Sequence, residues 1–148
     1  MDTLAWLESL SKFGIKPGLE RMQAMLGELG DPQRAFESIH VVGTNGKSST
    51  TRMTEALLLD AGLRVGSTVS PHVRRWAERI RVDGREADFE RALAAVRPVA
   101  EAAGGTQFEV LIAAAFVAFA DAGVQVAAIE AGLGGRWDAT NVVGAPVV

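Results

Sequence analysis

A glycine-rich stretch in the first third of the chain has the residue types and spacing that bind phosphate. It consists of Gly43, Thr44, Asn45, Gly46, Lys47 and Ser48, between an apolar run at 39–42 and a segment with helical spacing. Backbone N–H groups at a helix start bind anions, and Lys47 adds a charge for the outer phosphates. The motif is a shortened G-x-x-x-x-G-K-[ST], because Val41 stands at its first glycine. The alternative is a surface turn capped by Ser or Thr.

Further along the chain, oxygen-bearing side chains suit a divalent cation bound to such phosphates. Glu130 ends an apolar run, and Mg²⁺ often takes one or two carboxylates together with phosphate oxygens. The hydroxyl of Ser48 or Ser49 is expected to face the metal, and the sequence leaves that choice open. Ser70 is a further hydroxyl candidate. Alternatively, Glu130 caps a helix or pairs with Arg136, and Ser70 only marks a turn.

Other residues have less specific signals. His72 is a candidate ligand, phosphate contact or substrate contact, or else a solvated loop residue, whereas His40 is expected to be structural. An arginine cluster either attracts an anionic substrate or forms a solvated face with Glu78 and Asp83; its members are Arg74, Arg75, Arg79 and Arg81. A glycine loop either lets the backbone approach a ligand or is an ordinary turn; it contains Gly132, Gly134 and Gly135.

Composition narrows the class of protein. A chain of 148 residues with 48% hydrophobic residues suits one globular domain. A net charge of −3 argues against a nucleic-acid binder that relies on a basic face. No signal peptide is expected, the apolar run 110–120 is too short to span a bilayer, and zero cysteines fit a reducing compartment. We therefore expect a cytoplasmic protein with neither nucleic acid nor membrane as a partner.

Apolar periodicity predicts helices that alternate with strands. Helices are expected at 3–13, 19–29, 48–61, from 88 onward and at 110–122, and strands at 39–42, 63–69, 79–82 and 124–129. Met53 and Leu57 mark the helical spacing after the phosphate loop. Thr3 is expected to cap the first helix and Pro98 to kink or end the fourth. Thr106 and Glu109 form a capping-box pattern before the last helix.

The alternation favours an α/β fold with a doubly wound, mainly parallel sheet of the P-loop type. Ligands of such sheets bind beyond the carboxyl ends of the strands. Three polar segments follow predicted strands, namely 43–48, 70–72 and 130–136. We expect these segments to meet at one edge of the sheet.

The same residues resemble the folylpolyglutamate synthase/dihydrofolate synthase family of the Mur ligase superfamily. The resemblance rests on blocks in the family's order: HVVGTNGK at 40–47, SPH at 70–72, ERIRV at 78–82, FE at 108–109 and EAGLGGRWDATN at 130–141. Residues 13–21 look like the family's N-terminal substrate loop. The block at 130–141 is the most specific, whereas the phosphate loop is shared with the peptidoglycan Mur ligases.

This resemblance implies an ATP-dependent amide ligase of folate biosynthesis with ATP and Mg²⁺ as cofactors. A pteroate or folate carboxylate would take the γ-phosphoryl group as an acyl phosphate, which the amine of glutamate then attacks. The implied ATP-binding residues are Gly43, Thr44, Asn45, Gly46, Lys47, Ser48 and Ser49. The implied catalytic residues are Lys47 and Glu130, and the implied metal ligands are Ser48, Ser70 and Glu130. The implied substrate residues are Ile15, Lys16, Pro17, His72, Thr106, Gln107, Phe108, Glu109, Trp137, Asp138 and Ala139.

Two departures from the family pattern matter. Ser48 stands where the family usually has glycine, and family members are much longer than this chain. The resemblance therefore implies that residues 1–148 are an N-terminal part of the ATPase domain, with a helical segment at 1–37 and without the C-terminal glutamate-binding domain. Such a portion is expected to be inactive, and the intact protein to be a monomer. A Mur-type peptidoglycan ligase and a non-catalytic nucleotide-binding module remain the alternatives.

Overall fold

The structure is a computed structural model that describes residues 2–11, 18–133, 136–145 and 147–148. Its helices are α1 (Thr3–Ser9), α2 (Glu20–Glu28), α3 (Lys47–Asp60), α4 (Phe89–Ala103) and α5 (Gln107–Asp121). Its strands are β1 (Glu37–Val41), β2 (Val65–Thr68), β3 (Ile80–Val82), β4 (Arg85–Glu86) and β5 (Val126–Glu130). Short 3₁₀ turns lie at Pro32–Arg34 and Trp76–Arg79.

The strands form one sheet in the order β1-β5-β2-β3-β4. β5 pairs in parallel with β1 on one side and with β2 on the other. β3 and β4 extend the sheet beyond β2 as an antiparallel hairpin. On the other side, Val147 makes a single parallel bridge to Ile39 of β1. β1, β5 and β2 are therefore parallel, and their carboxyl ends lie at the same edge of the sheet, next to the candidate site.

Helices cover both faces of this sheet, as a doubly wound fold requires. Gly66 of β2 faces the Phe119 ring of α5, whereas the next residue, Ser67, bonds to Glu55 of α3. α5 is buried over most of its length and packs with α1, α2 and α4 in the main core. Among the described residues, no helix has the length and apolar character needed to cross a membrane.

The ends of two helices differ from the sequence expectation. Asp2 rather than Thr3 caps α1, because its carboxylate accepts the N–H of Ala5 at 2.7 Å, and the helix ends at Ser9. Pro98 lies inside α4 and does not end it. Its ring is exposed while Val96 and Ala100 on either side are buried, so core packing carries the helix past the lost hydrogen bond.

The inward face of α3 also differs from a simple apolar stripe. Met53 and Leu57 are 60% and 72% exposed, whereas Thr51 and Glu55 are buried against the sheet. Helical spacing correctly predicts the helix after the phosphate loop. The apolar residues do not indicate which face of that helix contacts β2 and β5.

Candidate functional site

The phosphate loop joins the carboxyl end of β1 to the start of α3. Gly43 has φ +147° and Gly46 has φ +76°, so both occupy backbone conformations that favour glycine. Gly46 is the N-cap of α3 and supplies no side-chain cap. None of the backbone N–H groups of residues 44–48 donates a hydrogen bond to another described residue. The first turn of α3 therefore presents free donors of the kind that bind phosphate.

Glu130 lies next to this loop, at the carboxyl end of β5. Its side chain is buried, and its Oε2 accepts from the Ser48 hydroxyl at 2.9 Å and from the Ser70 N–H at 3.3 Å. The structure thus brings together the three predicted metal ligands. Ser48 is the serine whose hydroxyl contacts Glu130, which favours Ser48 over Ser49 as the hydroxyl that would face Mg²⁺; the assignment stays a prediction.

The donor set around Glu130 fits a hard divalent cation. The Glu130 carboxylate and the Ser48 hydroxyl offer oxygen atoms in contact with each other, and Ser70, whose N–H bonds to the same carboxylate, carries a further hydroxyl. Phosphate oxygens would complete an octahedral shell of the kind that Mg²⁺ prefers. Among the described residues, no group of three or more His, Cys, Asp or Glu side chains converges. A cation here would therefore depend on the nucleotide for part of its ligand set.

Lys47 reaches from α3 across to the segment that follows β5. Its Nζ donates to the carbonyl oxygens of Ala131 and Gly132, at 3.1 and 3.2 Å. These contacts hold the ammonium group over the mouth of the phosphate loop. Two carbonyl oxygens are weaker partners than a phosphate, so the lysine is available to a bound anion.

A cavity of about 290 Å³ opens beside Ser70. Its lining comes from three segments that are far apart in sequence: Ser70, Pro71 and Arg79; Gln107, Phe108 and Leu111; Gly132 and Leu133. Gly132 has no room for a side chain, because a Cβ there would lie 2.6 Å from the Phe108 ring. The cavity therefore has an aromatic wall on one side and the candidate metal ligand Ser70 on another.

A larger cavity, of about 640 Å³, lies elsewhere in the molecule. It adjoins Glu37 at the amino end of β1 and Val142. Ligands of parallel α/β sheets bind at the carboxyl ends of the strands, so we assign the site to the smaller cavity.

Asp138 shapes the cavity from behind. Its Oδ1 accepts the backbone N–H groups of Gly132 and Leu133, at 3.0 and 2.7 Å. Its Oδ2 accepts from the N–H and hydroxyl of Thr140, whose Oγ1 lies 2.7 Å from Nε2 of His40. Both carboxylate oxygens are used within the loop, so in this conformation Asp138 positions two cavity residues. His40 is structural, as expected.

Trp137 and Ala139, on either side of Asp138, differ in burial. The side chain of Trp137 is 60% exposed and lies against the guanidinium of Arg136. Ala139 is buried in the main core. Neither residue lines the 290 Å³ cavity.

The start of α5 combines the capping box with an ion pair. Thr106 and Glu109 bond reciprocally, as the sequence predicts. Glu109 also accepts two hydrogen bonds from Arg21, at 2.7 and 3.0 Å, and this hydrogen bonding raises the pKa of Arg21. Gln107 donates its amide to Leu7 O and also lines the cavity. Of the four residues from Thr106 to Glu109, Gln107 and Phe108 contact the cavity.

His72 is engaged within its own loop. Its Nδ1 accepts from Arg79 at 2.9 Å, and its ring lies 4.5 Å from that of Trp76. Burial lowers the pKa of His72, and the charge of Arg79 lowers it further. Because Nδ1 accepts from a cation, this geometry favours a neutral imidazole that bears its proton on Nε2.

The arginine cluster does not pair in the expected way. Glu78 uses its carboxylate on backbone N–H groups, that of Val73 being the largest contribution to a lowered Glu78 pKa. Asp83 pairs with Arg64, at 3.4 Å. The cluster is divided: Arg79 lines the cavity, Arg75 pairs with Glu86, and Arg81 pairs with buried Glu55.

Three predicted substrate residues, Ile15, Lys16 and Pro17, lie outside the described residues, as do Gly134 and Gly135. Sequence reasoning missed Arg52 and Glu55, which lie behind the phosphate loop. Ser48, Arg52 and Glu55 are spaced as i, i+4 and i+7, so a polar stripe at helical spacing was the available signal. The Arg21–Glu109 pair joins residues 88 positions apart and has no local sequence signal.

No protein-family model matches the chain. The curated dihydrofolate synthase/folylpolyglutamate synthase of Mycobacterium tuberculosis is 45% identical over 90% of this chain and 31% of that protein. The solved Mycobacterium tuberculosis folylpolyglutamate synthase complexed with ADP has a TM-score of 0.89 and 41% identity, over 98% of this chain and 36% of that one. A solved bifunctional folylpolyglutamate synthase/dihydrofolate synthase with Mn, AMPPNP and L-glutamate bound has a TM-score of 0.89 and 37% identity, over 98% of this chain and 36% of that one.

The chain thus spans about a third of the length of the curated relative and the solved structures that it matches. Sequence and fold agree along nearly the whole of this chain. They confirm the resemblance indicated by its motifs: the chain is a relative of the folylpolyglutamate synthase/dihydrofolate synthases, with the Mur-ligase type of α/β fold.

Proposed function

We propose that the natural protein containing this sequence is an ATP-dependent ligase that adds L-glutamate to dihydropteroate, to reduced folates, or to both. The observation that carries the proposal is the contact of three segments at one sheet edge. A phosphate loop, a buried carboxylate and an aromatic-walled cavity meet there through Ser48, Glu130 and Ser70. The relatives named for this activity, and their complexes with ADP or with Mn, AMPPNP and L-glutamate, support it.

Each part of the site has a role in this proposal. The free N–H groups of 44–48 and the Lys47 ammonium bind the phosphates of ATP. Ser48, Ser70 and Glu130 hold Mg²⁺, which supplies charge neutralisation at the transferring phosphoryl group when bound. The cavity beside Phe108 takes the pterin end of the substrate; its volume of about 290 Å³ is near the lower end of small-molecule sites.

Some residues that do not line the cavity would act through those that do. Asp138 fixes Gly132 and Leu133, and the Arg21–Glu109 pair fixes the start of α5. By the family resemblance, residues 15–17 and Trp137 would line the pterin site, and His72 would contact the substrate. The chain itself would be the N-terminal part of the ATPase domain of a cytoplasmic monomer, with a glutamate-binding domain elsewhere in the protein.

The test is ADP release by the full-length natural protein with Mg-ATP and L-glutamate, with and without dihydropteroate or a reduced folate. The proposal predicts that a pteroate or folate substrate stimulates ADP release and that omission of glutamate removes the amide product. Stimulation by a UDP-linked muramyl substrate instead would indicate a Mur-type ligase. Mg-ATP binding without any turnover would indicate a non-catalytic nucleotide-binding module. Either result would overturn the proposal.

A further inference from the structure

A cluster of charged and polar side chains lies behind the phosphate loop, between α3 and the sheet; it consists of buried Glu55 and Ser67 and half-buried Arg52 and Arg81. Glu55 is 3% exposed and accepts a hydrogen bond from the Ser67 hydroxyl. Arg81 and Arg52 approach its carboxylate to 3.3 and 3.5 Å. A buried carboxylate is costly unless it is paired and hydrogen-bonded, and here the partners come from α3, β2 and β3.

Arg52 connects this cluster to the loop that carries Ser70. Its Nη1 donates to the Ser67 hydroxyl at 2.9 Å, and its Nη2 donates to the backbone carbonyl of Glu78 at 3.1 Å. One guanidinium therefore bridges α3, β2 and the segment 70–79. The planar fork of an arginine holds two acceptors in a fixed relation, which a lysine ammonium cannot reproduce.

Glu78 connects Arg52 to other residues of the segment 70–79 through hydrogen bonds. Its carboxylate accepts the backbone N–H groups of Val73, Arg74 and Arg75, at 3.0, 2.9 and 3.1 Å. Glu78 therefore accepts hydrogen bonds from the backbone at 73–75 while its own carbonyl accepts from Arg52. A displacement at the Arg52 guanidinium would consequently move the loop as a unit.

The segments that Arg52 connects, α3 and the 70–79 loop, carry Ser48 and Ser70, which both bond to Glu130. Ser48 precedes Arg52 by one turn of α3 and bonds to Glu130 through its hydroxyl, whereas Ser70 bonds to the same carboxylate through its N–H. Burial lowers the pKa of Arg52 and the charge of Arg81 adds to this, while Glu55 and Glu130 act in the opposite direction. The guanidinium thus lies within electrostatic reach of Glu130.

We propose that Arg52 is a positioning residue for the metal–nucleotide site, which sets the distance between Ser48 on α3 and Ser70 on the 70–79 loop. The inference rests on the proposed function, because it requires a nucleotide bound together with Mg²⁺. It assigns Arg52 no contact with substrate, nucleotide or metal. Its effect passes through the Glu78 carbonyl and the Ser67 hydroxyl.

The test measures ADP affinity by calorimetry across a Mg²⁺ titration in the full-length natural protein. The variant Arg52→Lys keeps the charge and removes the fork. We expect its ADP affinity without metal to stay within about twofold of the wild type. The Mg²⁺ concentration for half-maximal tightening should rise about 10- to 100-fold, as when residues that orient metal ligands are changed. Ser67→Ala removes one acceptor and keeps every charge, and it should give a smaller shift in the same direction.

The matched control is Arg64→Lys. Arg64 also forks onto a carbonyl, that of Ala122 at 3.1 and 2.7 Å, and pairs with Asp83, but it precedes β2 at the opposite end from the site. Its Mg²⁺ dependence should match the wild type. If Arg52→Lys loses metal-free and Mg²⁺-dependent affinity in parallel, or leaves the Mg²⁺ titration unchanged, the positioning role is wrong.

Two further outcomes are separable. If Arg52→Lys does not fold, Ser67→Ala decides, and an unchanged Mg²⁺ titration in that variant overturns the inference. If Mg²⁺ does not tighten ADP binding to the wild type at all, the metal–nucleotide site that this inference requires is wrong, whereas pteroate-stimulated ADP release tests the proposed function separately. A shifted Mg²⁺ titration in a protein without pteroate-stimulated ADP release would support the positioning role and contradict the ligase.

Discussion

We expect Glu130 to be the residue on which the proposed metal site depends most. It is buried, and among the described residues no lysine or arginine forms an ion pair with it. Its contacts are the Ser48 hydroxyl and the Ser70 N–H, which satisfy hydrogen bonds but do not neutralise a charge. A buried carboxylate in this state favours a cation, and the neighbouring phosphate loop supplies the setting for Mg²⁺.

His40 makes a prediction at the same scale, about pH. Burial lowers the pKa of His40 below its ordinary value of 6.5, and the charge of Asp138 offsets this only in part. Between that lowered pKa and 6.5, the unfolded chain binds more protons than the folded one. The stabilising contribution is therefore complete above about pH 6.5 and is lost as the pH falls through the lowered pKa.

The measurement is the free energy of unfolding in urea, at a series of pH values, for the wild type and His40→Gln. Glutamine keeps an N–H that can donate to the Thr140 hydroxyl and removes the titration. The wild type should lose more stability than His40→Gln on acidification below pH 6.5. The lowered pKa of His72 is present in both proteins and cancels. Parallel pH curves would show that His40 does not titrate as described.

At the scale of elements, α3 shows where sequence reasoning succeeds and where it stops. Glycine, lysine and serine at fixed spacing identify the loop and the start of the helix, because only local backbone chemistry is involved. The buried face of α3 is polar, with Glu55 against β2, and the apolar residues Met53 and Leu57 are exposed. Apolar periodicity assumes an apolar inner face, so it could not orient this helix.

The contact of β2 with α5 gives a second prediction. A Cβ on Gly66 would lie 2.6 to 2.8 Å from three ring atoms of Phe119, which is itself fully buried. Gly66→Ala should therefore lower the free energy of unfolding by about 1–3 kcal/mol, the usual cost of overpacking a core. Urea unfolding measures the difference directly.

Gly27→Ala is the matched control for that prediction. Gly27 lies inside α2, and a Cβ there meets no atom within 4 Å. The same substitution should raise stability by about 0.5–1 kcal/mol, since alanine is the better helix former. Equal effects of the two substitutions would mean that the Phe119 contact does not constrain β2.

At the scale of the whole molecule, the sequence predicts that three loops meet at one edge of the sheet. It predicts less well which side chains hold those loops in place. Parallel strands bring residues 43–48, 70–72 and 130–133 to one edge, and this follows from strand order alone. The roles of Asp138 and Glu109 could not be predicted in this way. Their carboxylates bond to Leu133 and to Arg21, and these partners are defined only when the chain is folded.

We propose that Ser48, Ser70 and Glu130 form one divalent-metal site at the phosphate loop. The measurement that tests it most directly is ADP affinity by calorimetry, with and without Mg²⁺, for the full-length natural protein and its Glu130→Gln variant. If these three residues form such a site, Mg²⁺ should tighten ADP binding to the wild type. Glu130→Gln should lose that increment yet bind metal-free ADP no more weakly, because the loop and Lys47 are intact. A variant that retains the full Mg²⁺ increment would contradict the account.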